Sequence, residues 1–166
     1  MKEKEALEFY ALQHFIATYN RTHSTLLRFV ELRKPPEPDA LCLIDGEELW
    51  IEVTHLHGSE PVDAMRNLGR WPPRNAEGSW IEKHEQETRR KSLQQRVLPK
   101  LNESLDDKAN TPYSRSPVWL LVRNAFPLWN KQDFEQHIDE IAVPESHPFQ
   151  HIWLLTERDG ELLQLR

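Results

Sequence analysis

Residues 38–54 read Pro-Asp-Ala-Leu-Cys-Leu-Ile-Asp-Gly-Glu-Glu-Leu-Trp-Ile-Glu-Val-Thr, and the pattern of this stretch decides the fold. Two apolar-rich runs, Ala40 to Ile44 and Leu49 to Leu56, flank Asp45-Gly46. That dipeptide signals a two-residue hairpin, because both central residues of a type I′ turn need positive φ. With Asp45 and Gly46 as the loop, Ile44 faces Glu47, Leu43 faces Glu48 and Asp39 faces Glu52. Directly opposed side chains have Cβ atoms about 4.5–5.5 Å apart, and like charges there are destabilising unless something offsets them. A divalent cation would do so. An extra loop residue would shift the register and undo the opposition. Alternation along the second run sends Ile51 and Val53 to one side and Trp50, Glu52 and Thr54 to the other. Glu52 therefore lies in the middle of an otherwise apolar strand. For a lone acidic strand residue the plain reading is a solvated sheet face; the opposed Asp39 argues for more.

Upstream, Lys2 to about Asn20 reads as an amphipathic helix with Phe9, Leu12, Phe15, Ile16 and Tyr19 on one side. Thr25 to Leu32 follows as a strand, ended by Lys34-Pro35-Pro36. Downstream, Pro61 to Gly78 is irregular, with Trp71 and Pro72-Pro73, and reads as a functional loop or lid. Trp80 to about Asp107 is helical, with Pro99 kinking or splitting it. Val118 to Arg123 is a buried strand. Lys131 to Ala142 is a helix with Phe134, Ile138 and Ile141 inward, ending before Pro144. A terminal hairpin joins His151–Thr156 to Glu161–Leu165 through Asp159-Gly160. The order αβββαβαββ describes a mixed β-sheet with helices on its faces, an α/β fold.

The chain has 166 residues, which fits one domain spanning 1–166. Hydrophobic residues at 38%, with 6 Trp and 6 Phe, supply a core without disulfide or metal staples. Cys42 is the single cysteine, so no intrachain disulfide can form. With no charged-then-apolar leader and no run near the ~20 apolar residues of a membrane helix, a soluble cytoplasmic protein without a membrane partner is expected. Lys plus Arg number 21 against 27 Asp plus Glu, a formal charge of −6. That field opposes a protein that merely coats nucleic acid. It leaves room for a nuclease, which must concentrate carboxylates around a metal, and Arg89, Arg90, Lys91 and Arg96 form a local basic segment.

Pro38-Asp39, the hairpin and Glu52-Val53-Thr54, preceded by a glutamate-bearing helix and followed by a long helix and a strand, resemble the PD-(D/E)xK nuclease superfamily. The resemblance covers the topology from about residue 2 to residue 123. It implies a restriction-endonuclease-like fold in which Asp39 and Glu52 ligate Mg²⁺ or Mn²⁺ and a phosphodiester of DNA, or of RNA, is cut. Such nucleases often act as dimers, so a homodimer is a family expectation. Thr54 stands where the family's lysine would be, which puts catalysis in question though not the fold.

Some members of the superfamily supply the lysine from the following helix. On a helical wheel Lys83, Glu87, Arg90 and Gln94 share the side set by Trp80, Val97, Leu98, Leu101 and Leu105, and Lys91 borders it. Lys91 or Lys83 is then the expected catalytic ammonium, with Thr54, Arg90 and Gln94 as substrate contacts; the plain alternative is a set of solvated helix positions. The family also draws a metal-binding glutamate from the first helix. Glu5 and Glu8 both fall on its apolar side, and Glu8 is preferred because it begins the Glu8, Leu12, Phe15 spacing. A carboxylate favoured by the helix dipole explains either one equally well.

His55 and His57 have chelating spacing, but no Cys or third His stands near them in sequence, so an interior histidine is preferred to a zinc site. Trp71, within the irregular segment, and Trp80, just after it, offer stacking surfaces for an unpaired base. Cys42 reads as a small buried hydrophobe. Two other functions compete with the nuclease: a catalytically silent binding module of the same fold, and an immunity-type protein that recognises a partner through residues 61–78.

Overall fold

The computed structural model describes residues 2–56, 97–124, 130–156 and 160–166. Its elements are α1 (Glu3–Thr22), β1 (Leu27–Leu32), β2 (Ala40–Ile44), β3 (Glu47–Leu56), α2 (Leu98–Ala109), β4 (Val118–Asn124), α3 (Lys131–Gln136), a 3₁₀ turn (Ile138–Glu140), β5 (Phe149–Thr156) and β6 (Glu161–Gln164). The strands form one six-stranded sheet in the order β1 to β6. The β1–β2, β2–β3 and β5–β6 pairs are antiparallel, whereas β3–β4 and β4–β5 are parallel. The fold is mixed α/β, in the expected element order.

The hairpin forms as its turn chemistry requires. Asp45 has φ 48° and Gly46 φ 85°, and the ladder runs from Ile44↔Glu47 through Leu43↔Glu48 to Ala40↔Ile51. Asp45 also ties the turn to the start of β1, its Oδ1 accepting the Leu26 N–H at 2.8 Å. A Cβ added at Gly46 would meet no atom within 4 Å, so the cost of Gly46→Ala is that of positive φ alone, about 1 kcal/mol. Urea denaturation checks this; a neutral result would mean the turn relaxes to another type.

Both faces of the sheet are covered, and strand alternation assigns the residues to each. On one face Leu12, Phe15 and Tyr19 of α1 pack on Ile51, Val53, Trp119, Leu121 and Trp153. On the other, Leu101 and Leu105 of α2 and Phe134 of α3 pack on Trp50, Leu120, Val122 and Leu154. The central strand β4 is buried along its whole length, as parallel strands covered on both faces must be. Cys42 is fully buried within β2.

Two local expectations, the start of β1 and the end of α3, need correction. Strand β1 begins at Leu27 rather than Thr25, because Asn20 of α1 captures Leu27 by donating from Nδ2 to its carbonyl and accepting its N–H, both at 2.8 Å. Pro99 lies in the first turn of α2, where its missing N–H costs nothing; residues 80–96 fall outside the described set. The helix expected over Lys131–Ala142 stops at Gln136. The Asn102 side chain of α2 accepts the Ala142 N–H at 2.8 Å and donates to the Glu140 carbonyl at 3.0 Å, holding that segment off the helical path. Ile138 is accordingly 43% exposed rather than inward, while Phe134 is buried as expected.

Candidate functional site

Asp39 and Glu52 meet, by a more specific route than simple opposition. The β2–β3 ladder ends at Ala40↔Ile51, and one step beyond it side chains replace the backbone partners. The Asp39 N–H donates to Glu52 Oε2 at 3.2 Å, and the Val53 N–H donates to Asp39 Oδ2 at 2.8 Å. Each carboxylate is thus oriented by the other residue's strand. Glu52 is 8% exposed, and its second oxygen, Oε1, accepts from Lys108 Nζ at 2.8 Å. Asp39 Oδ1 makes no hydrogen bond among the described residues.

The electrostatics follow from this crowding. The Asp39 carboxyl is pushed up to about 7 by burial first and by the Glu52 charge second, with Glu8 adding to both; the Val53 N–H and the Lys108 ammonium pull the other way. A folded-state value above the unfolded one means that the native protein holds this proton more tightly than the unfolded chain. The contribution of Asp39 to stability is therefore full below about pH 4 and is lost as the pH rises to about 7. The whole shift corresponds to an upper limit of ~4 kcal/mol, and partial exposure of the group brings it nearer 2. In EDTA, Asp39→Asn should remove this fall, leaving the variant more stable than wild type at pH 7.5. Urea titrations of both proteins from pH 4.5 to 7.5 measure it, and parallel pH profiles would contradict the assignment.

Lys108 is the residue that the sequence reading missed. It follows Leu101 and Leu105 at spacings of four and three, so it continues the buried stripe of α2 over its last turn. Ending the helix at Asp107 left it out. A Lys in the last turn also suits the helix dipole, but a 2.8 Å contact with Glu52 gives it a partner across the fold. Thr54, on the same side of β3 as Glu52, is half-buried. Lys83, Arg90, Lys91 and Gln94 lie outside the described residues, as do His57, Trp71 and Trp80.

The two candidate glutamates of α1, Glu5 and Glu8, separate clearly. Glu5 accepts the Lys2 N–H at the start of the helix, Oε2 lying 3.3 Å away, and so serves as a cap. Glu8 is 4% exposed; its Oε1 is buried without a hydrogen bond and has the Lys4 ammonium 3.4 Å away. Its charge reaches Asp39. Among the described residues, however, no three His, Cys, Asp or Glu side chains are grouped to hold a metal ion. Glu8 thus acts on Asp39 through its charge, which adds to the raised Asp39 value.

The donor set nevertheless suits Mg²⁺ or Mn²⁺. These ions take hard oxygen ligands, and Mg²⁺ is commonly held by one or two carboxylates while keeping several waters. Two carboxylates forced together at the cost of a raised Asp39 value are a pair that a cation relieves. Cys42 offers no competing chemistry, since burial pushes its thiol up to about 12. His55 has the Arg123 guanidinium 3.5 Å from its Nδ1, an interior contact. No helix among the described residues is long and apolar enough to cross a membrane. No family model, curated protein or solved structure matches this chain.

Proposed function

We propose that this protein is a Mg²⁺- or Mn²⁺-dependent phosphodiesterase acting on DNA, with RNA as the second substrate class, and a variant of the PD-(D/E)xK nucleases with a restriction-endonuclease-like fold. The observation that carries the reading is the reciprocal Asp39–Glu52 pair with the Lys108 ammonium on its edge. Asp39 and Glu52 hold the ion through their carboxylate oxygens. When bound, the ion polarises the scissile phosphate and lowers the pKa of a coordinated water.

The protein's own groups do the rest. Lys108 supplies from α2 the ammonium that Thr54 does not supply from β3, neutralising charge that develops on the phosphoryl oxygens. Its hydrogen bond to Glu52 keeps that ammonium beside the carboxylate in the absence of substrate. The buried Glu8 charge strengthens the local negative field and with it the preference for a divalent cation over a proton. Trp50, 3% exposed, packs into the core on the same side of β3 as Glu52.

The second reading, a silent binding module of the same fold, is favoured by one observation: Lys108 already neutralises Glu52, so the pair persists without a metal. Incubating supercoiled and linear DNA with the protein in Mg²⁺, in Mn²⁺ and in EDTA separates the two. Metal-dependent strand scission supports the enzyme. Direct binding of DNA with no scission in either metal supports the module instead.

A further inference from the structure

The loop between β1 and β2 is built around a carboxylate that the proposed reaction does not use. The Arg33 N–H donates to the Asp39 carbonyl at 2.7 Å and closes the loop. Inside it, Glu37 Oε2 accepts from Arg33 Nε at 2.7 Å, and Glu37 Oε1 from Arg33 Nη2 at 3.1 Å. From the far end of the α2–β4 connection, Arg115 adds Nε at 3.0 Å and Nη2 at 2.7 Å, both to Oε1. Both guanidinium groups lie over the Trp50 indole, 5.7 Å and 5.0 Å from its centre.

This arrangement couples directly to the carboxylate pair. Trp50 stands two residues before Glu52 on the same side of β3, and Glu37 stands two residues before Asp39. Between Glu37 and Asp39 is only Pro38, whose ring fixes φ and is buried. A fixed Glu37 therefore leaves Asp39 little freedom. Bidentate arginine–carboxylate bonds and guanidinium stacking on an aromatic ring are directional, so the cluster sets geometry as well as charge. Glu37 keeps only 19% of its side chain exposed although both arginines reach solvent.

We propose that Glu37, clamped between Arg33 and Arg115 on the Trp50 ring, is a positioning residue that holds the Asp39 carboxylate against Glu52 in the geometry that takes a divalent cation. The inference rests on the metal-dependent reading above and adds to it the device that aligns the ligands. Lysine has no planar fork, so Arg115→Lys keeps the charge and loses the clamp.

The test uses the full-length protein and its Glu37→Ala and Arg115→Lys variants, with two readouts. The first is amide hydrogen exchange in EDTA at Asp39 and Val53, the two N–H groups that define the pair. Both should exchange about 10-fold faster in either variant, with the Leu120 amide of the central strand unchanged. The second is Mn²⁺ binding, followed by the electron paramagnetic resonance of the free ion. Affinity should fall about 10-fold, the lower end of what loss of an outer partner costs a metal site. Unchanged exchange at both amides overturns the clamp. Faster exchange with wild-type Mn²⁺ affinity overturns its bearing on the ligands. Wild-type protein that binds no Mn²⁺ defeats the metal-dependent reading itself and the clamp's metal role with it, an outcome recognisable without any variant.

Discussion

Asp39→Asn combined with Glu52→Gln is expected to lower metal-dependent DNA cleavage by ~10³-fold or more. Lewis-acid and water-activating contributions are worth several kcal/mol, and about 4 kcal/mol corresponds to that factor. The amide replacements preserve the local structure: Asn can still accept the Val53 N–H that now reaches Asp39 Oδ2, and Gln the Asp39 N–H that reaches Glu52 Oε2. They remove the two anionic hard donors and, with them, both the burial cost of the Asp39 charge and its repulsion by Glu52. The double variant gains from relief of that repulsion but loses the Lys108–Glu52 ion pair, since the amide nitrogen of Gln would face the ammonium, so its fold is measured alongside its activity. Each single change should approach the effect of both, because groups that serve one ion act as a unit. Plasmid nicking rates in Mg²⁺ and Mn²⁺, with urea denaturation of the same preparations, measure the two halves of the expectation. A folded double variant that still cuts at the wild-type rate would remove these carboxylates from the reaction.

The hairpin and its carboxylates were legible in the sequence because every step is local. Asp45-Gly46 dictates a turn, the turn dictates a register, and the register runs unbroken to Ala40↔Ile51. What the sequence did not contain is the last step, where the Asp39 and Glu52 side chains exchange hydrogen bonds with each other's strand rather than face each other across a ladder pair. The partner of Glu52 was hidden for a different reason. Lys108 stands 56 positions away along the chain, and local patterns do not report such distances. The only trace is that it continues the Leu101, Leu105 stripe for one more turn. The shortening of α3 has the same origin, since the apolar spacing of Phe134, Ile138 and Ile141 continues while Asn102, from another element, holds Glu140 and Ala142. Tertiary hydrogen bonds overrode a helical pattern. The separation of Glu5 from Glu8 also needed structure, because both fit the same arc and are distinguished by the capping bond of Glu5 to Lys2 and the burial of Glu8.

Phe15→Ala should destabilise the protein by ~3–5 kcal/mol, the range for truncating a fully buried aromatic. Phe15 has no exposed surface, and its ring centre lies 5.9 Å from those of Tyr19 and Trp153 and 6.4 Å from that of Trp119. The two tryptophans belong to β4 and β5, whose parallel ladder runs from Trp119↔His151 to Asn124↔Thr156. They cannot collapse into the vacated volume without breaking that ladder, so the cavity persists and the cost lies toward the upper end. Against a typical total of 5–15 kcal/mol this is a large fraction. The change also reaches the candidate site, because α1 carries Glu8 two turns before Phe15, and docking of the helix is what buries that carboxylate within the field of Asp39. A loosened α1 exposes Glu8 to water and weakens its contribution to the raised Asp39 value, so the pH-dependent loss of stability in EDTA should become shallower in Phe15→Ala than in wild type. Urea titrations at several pH values read both effects at once. A cost below 1 kcal/mol would mean that α1 is not anchored by this aromatic cluster, and a large cost with an unaltered pH slope would mean that Glu8 acts on Asp39 independently of how the helix is docked.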